Sequence, residues 1–120
     1  MNERGSAAVE FALLVPLVAL VLISIVEVVV VARTQLEVSQ AAREGAREAA
    51  ASPDPERAVA VVRRFLGPEL SSRARVSVSR DHHVGGRAEV RVELRHTFGG
   101  GFLGGWSVEL TARSSMRVER

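Results

Sequence analysis

The chain has 120 residues, room for one small domain, with 16 basic and 14 acidic side chains and a formal net charge of +2. Every basic residue is arginine, so the isoelectric point near 10.8 reflects the guanidinium pKa more than a charge excess, and it does not mark a nucleic-acid-binding surface. The chain has no cysteine, which excludes disulfides and thiolate-held metals.

The first five residues, Met1 to Gly5, hold one acidic and one basic side chain, and the far flank of the following apolar run begins at Arg33. Charge bias around the run therefore sets its orientation only weakly. From Phe11 to Ala32 the one charged residue is Glu27. This run would be about 33 Å long as a helix, enough to cross a hydrocarbon core of about 30 Å. Val, Leu and Ile occupy all its sides, which predicts a single transmembrane helix and not the apolar face of a soluble one. A cleaved secretory signal fits less well, because its core is shorter and ends in a small-residue site.

Two residues interrupt the apolar pattern. Pro16 lacks an amide hydrogen and crowds the carbonyl near Ala12, so a kink is expected there, either static or a weak point that lets the first turns re-aim. Glu27 would cost about 2.5–3.5 kcal/mol at the centre of a bilayer and less near its edge. It is expected in the outer leaflet, against a partner helix or snorkelling to water.

Arg4-Gly5-Ser6-Ala7-Ala8-Val9-Glu10-Phe11 precedes the run. It resembles the processing site of type IV prepilins, in which a membrane peptidase cuts after the glycine and leaves a glutamate fifth in the mature chain. Together with Ala12, Leu13, Pro16 and the later Ala41-Ala42-Arg43-Glu44-Gly45-Ala46-Arg47, it is similar to the TadE-like pseudopilins of the Flp (Tad) pilus system. The resemblance covers about the first 50 residues. It implies a leader over 1–5, cleavage between Gly5 and Ser6, a transmembrane helix over 6–32 and an exported domain over 33–120. It also implies a cytoplasmic (inner) membrane protein with its N-terminus inside. The implied partners are a prepilin peptidase, other pilin or pseudopilin subunits, the pilus assembly platform and membrane lipid.

The chemistry of the motif can be argued from charges. Cutting after Gly5 frees an amine on Ser6, and Glu10 lies one turn further along the same rod. In a bundle of such rods an amine of one subunit can meet the carboxylate of its neighbour when the two are offset by about a turn. Two unit charges 4 Å apart are worth about 4 kcal/mol at an effective dielectric near 20, so the correct stagger is favoured. Glu10, beside Phe11, would then set register. Otherwise Glu10 is a wet carboxylate that suits the helix start.

Beyond Ala32, strong helix formers continue over 33–51 until Pro53 and Pro55. Ala42, Gly45, Ala46 and Ala49 recur at helical spacing and make a flat face for close packing, within the subunit or between subunits. Asp54 can cap a second short helix over 54–66, with Ala58, Val61, Val62, Phe65 and Leu66 on its apolar face and Gly67-Pro68 at its end.

The period then changes to two, predicting strands at about 74–79, 87–98 and 107–118 in a three-stranded antiparallel meander with one apolar and one charged face. The expected fold is α+β and pilin-like: a long N-terminal helix running into a small domain with a second helix and this sheet. Asp81-His82-His83 lacks a third spaced ligand, so no metal site is expected. In the glycine-rich stretch after the second strand, Phe102, Leu103 and Trp106 are too apolar for an idle linker; they either fold back over the sheet end or bind a partner.

No nucleophile–base pair, carboxylate dyad or phosphate-binding loop stands out. The expectation is therefore a protein without catalytic activity, cofactor, small-molecule substrate or nucleic-acid partner, and the resemblance implies that it assists assembly or initiation of an Flp pilus. The alternatives are an unprocessed membrane-anchored envelope scaffold, or a module that recruits a partner through Phe102, Leu103 and Trp106.

Overall fold

A computed structural model describes residues 3–98 and 105–119. Its elements are α1 (Glu3–Ala51), α2 (Pro55–Arg73), β1 (Ala74–Arg80), β2 (Arg87–Phe98) and β3 (Trp106–Arg117). The fold is α+β, as the change of hydrophobic period predicts. The chain separates into two compact units, Met1–Ala32 and Arg33–Arg120.

The described residues of the first unit are all helical. Its large apolar side chains, from Val9 to Val30, stand between 41% and 70% exposed. The helix runs on through Pro16. Ser24 turns its hydroxyl inward and donates to the Leu20 carbonyl at 2.8 Å, which removes a polar group from an otherwise greasy surface.

In the second unit the sheet runs β1-β2-β3, both pairs antiparallel. Alternation sets which face is buried: Ala88, Val90, Val92 and Leu94 of the central strand are fully enclosed, joined by Leu110 and Ala112 of β3. The C-terminal part of α1 supplies Val38, Ala41, Ala42, Ala46 and Ala49 to this core, and α2 supplies Ala58, Val62 and Leu66. The opposite face carries ion pairs, Arg113 Nε to Glu89 at 3.2 Å and Arg91 Nε to Glu93 at 3.0 Å. These are largely exposed and contribute about 0.2–1 kcal/mol each.

The junctions are closed by specific hydrogen bonds. Ser52 N donates to the Glu48 carbonyl at 2.9 Å as α1 ends, and Asp54 caps α2 by accepting from Glu56 N at 3.0 Å with Pro55 in the first turn. Arg80 Nε donates to the Ala49 carbonyl at 2.8 Å, and Glu119 N donates to that of Ala50 at 3.1 Å. At the other end, Gln35 Nε2 donates to the Thr111 carbonyl at 3.2 Å. The last turn of α1 is thus tied to the finish of β1 and β3, and Gln35 to the middle of β3.

The second helix differs from its expected extent of 54–66. Gly67 does leave helical geometry, at φ 80 and ψ 170, but helix resumes behind it and α2 reaches Arg73. Gly-Pro reads as a stop in sequence, yet proline fits the first turn of a new helix as well as it ends an old one. Arg63 stabilises the added turn by donating to the Ser71 carbonyl at 2.8 Å.

Candidate assembly site on the N-terminal helix

Gly5 and Ser6 lie within the opening turns of α1, exposed, as do Glu10 and Phe11. The Ser6 hydroxyl donates to Glu10 Oε1 at 3.5 Å across one helical turn, a long contact between exposed groups. The two partners named by the charge argument therefore sit on one face within a single chain. That i, i+4 spacing was visible in sequence, but the hydroxyl as a local partner for Glu10 was missed.

The two helical glycines of α1 differ in what they require. A Cβ built at Gly45 would overlap Val62 Cγ2 and approach Val90 Cγ1 to 3.2 Å, so glycine is needed there for α2 and β2 to close on the helix. At Gly5 a Cβ would meet nothing within 4 Å. Packing among the described residues gives no reason for glycine at position 5.

Ala42, Gly45, Ala46 and Ala49 are all buried within the second unit, where they face the core. Pro16 is inside the exposed apolar helix. Glu27 is half-buried and engages a group of its own chain. Of the three apolar residues in the glycine-rich stretch, Phe102 and Leu103 lie outside the described residues, while Trp106 opens β3 and is 77% exposed.

His82 and His83 are exposed in the β1–β2 hairpin. Asp81 is committed there to backbone geometry, accepting from Arg87 N at 2.8 Å. Among the described residues no three His, Cys, Asp or Glu side chains are grouped to hold a metal.

Chemically, then, the first unit offers an exposed apolar rod with Glu3 and Glu10 near its start and Glu27 further along. Such a rod fits a single-pass membrane anchor by length and composition. No curated protein and no solved structure matches the chain. The family model described as TadE-like protein matches residues 5–47, which include Gly5, Ser6, Glu10, Pro16, Glu27 and most of the small-residue face. Over that stretch the chain is similar to the TadE-like proteins.

Proposed function

We propose that this protein is a pseudopilin, or minor pilin, that assists assembly of an Flp pilus after a prepilin peptidase cuts between Gly5 and Ser6. The observation that carries the reading is the family match over 5–47, which begins at the glycine of the cut and spans the apolar helix. Two features support it. The large apolar side chains from Val9 to Val30 stand exposed, as a rod destined for lipid and then for other rods requires. Among the described residues Gly5 is also a glycine without a steric reason, consistent with selection by an enzyme that grips the backbone there.

In this reading the rod is held in the inner membrane with its N-terminus inside and the Arg33–Arg120 domain exported. Removal of the leader places the new Ser6 amine one turn from Glu10. Within one chain the pair lies along the same face; in a bundle, the amine of a neighbour displaces the Ser6 hydroxyl as the partner of Glu10. The attraction of about 4 kcal/mol at an effective dielectric near 20 favours the correct stagger over misaligned ones. Other pilin subunits and the assembly platform are the partners.

Mass spectrometry of the protein recovered from its native membrane tests the reading. A mature N-terminus at Ser6 is expected. A chain that retains its leader would instead mark a permanently anchored scaffold.

A further inference from the structure

We propose that the charged face of the sheet binds a phosphate group at its β1–β2 hairpin end, held between the guanidinium groups of Arg87 and Arg117.

Arg87 of β2 and Arg117 of β3 stand directly opposite each other. The Arg87 amide donates to Asp81 Oδ2 at 2.8 Å and its carbonyl accepts from Asp81 N at 2.9 Å, so both backbone groups turn toward the β1 side and away from β3. Its pairing with Arg117 is therefore of the non-hydrogen-bonded kind, in which Cα atoms approach to about 4.5 Å and side chains stand closest. Like charges so placed destabilise a sheet. A second such pair, Arg91 opposite Arg113, lies on the same face, and there the charge is compensated. Arg91 Nε meets Glu93 at 3.0 Å, and Arg113 Nε meets Glu89 at 3.2 Å. Arg87 and Arg117 are both exposed, and among the described residues neither guanidinium makes a hydrogen bond or an ion pair.

The two arginines line an open cleft of about 720 Å³ together with Asp81 and Glu89. Both of these carboxylates are engaged elsewhere, Glu89 by Arg113 and Asp81 by the Arg87 amide. The seat of Asp81 depends on Gly86, where a Cβ would stand 2.5 Å from Asp81 Cβ and 2.9 Å from its Oδ2. The hairpin thus holds Asp81 on the backbone of Arg87 and leaves the side chain to a ligand. Ser79 and Ser115, which flank Glu89 on the neighbouring strands, add two hydroxyl donors to the same cleft. The ligand class follows from counting acceptors. A carboxylate fills one guanidinium fork with its two oxygens, whereas a phosphate monoester has three acceptor oxygens and serves two forks at once.

The test follows the arginine Nε–H resonances and the melting temperature of the full chain in detergent micelles at constant ionic strength. Glycerol 3-phosphate is the probe, with acetate and glycerol as controls. Saturable shifts confined to Arg87 and Arg117 are expected, together with a rise in melting temperature. Both responses should vanish in Arg117→Gln and persist in Arg43→Gln, which removes an exposed charge from α1. Without the probe, Arg117→Gln should melt higher than the parent, because it relieves the repulsion. Equal shifts at all arginines, an equal response to acetate, or a lower melting temperature for unliganded Arg117→Gln would each overturn the proposal. In phosphatidylcholine nanodiscs, a response to added glycerol 3-phosphate identifies a soluble phosphate ester as the source. A response to phosphatidic acid in the disc identifies a lipid headgroup; no response to either refutes the site.

Discussion

Replacing Gly45 by alanine should destabilise the domain, although alanine is the better helix former. The added methyl overlaps Val62 Cγ2 and comes within 3.2 Å of Val90 Cγ1, and both valines are fully buried. Neither can turn aside cheaply, because β-branched side chains in a filled core have few alternative rotamers. Overpacking of this size costs about 1–3 kcal/mol, against about 1 kcal/mol recovered from helix propensity. The balance is a loss of about 1 kcal/mol, which for a domain of this size lowers the melting temperature by about 4–8 °C. Thermal unfolding of the full chain in detergent, with amide exchange of Val90 and Val92 as a residue-level readout, measures it. Adding Val62→Ala should couple favourably with Gly45→Ala, since it removes the methyl that collides. A gain of about 1 kcal/mol for Gly45→Ala alone, the value for an uncrowded helix position, would refute the close approach of α1 to α2 and β2.

Leu94→Ala empties the largest fully enclosed side chain among the described residues, and a loss of about 2–5 kcal/mol in denaturant unfolding is expected. Arg80→Ala removes the 2.8 Å bond to the Ala49 carbonyl and a cation at the end of α1, so a loss of about 1–2 kcal/mol is expected. Its signature is faster amide exchange confined to the last turn of α1 and the adjoining Ser52. Gly5→Ala should leave the stability of the Arg33–Arg120 domain unchanged in the same melts, because a Cβ there meets no neighbour, while the leader is retained on mass analysis.

The strands were legible because a half-buried sheet imposes a period of two, and Ala88 to Leu94 against Arg87 to Arg95 follows it without interruption. Their bounds agree with the expected ones to within a residue. α2 was legible to Leu66 from the spacing of Ala58, Val62 and Leu66. Its continuation was not, because whether Pro68 stops a helix or starts one is decided by what the next turn can bind, here the reach of Arg63 to Ser71. Depth of burial was also hidden. Val108 and Met116 share a face with Leu110 and Ala112 yet remain about 40% exposed, because the sheet outruns its helical cover at both ends. The ties of Gln35 to Thr111 and of Arg80 to Ala49 join residues 76 and 31 positions apart and leave no local pattern.

The N-terminal site divides in the same way. Its glycine, its glutamate and the length of its apolar run are matters of spacing and were visible at once. The partner of Glu10 in a bundle depends on a second chain, which one sequence does not contain.

The most direct test of the account is the yield of pili from cells in which Glu10 is replaced by alanine. Loss of a neutralising contact worth about 4 kcal/mol should sharply reduce fibre production while the protein still reaches the membrane. Pili made in unchanged amount by the Glu10→Ala strain would contradict the claim that this carboxylate sets the stagger of the helices.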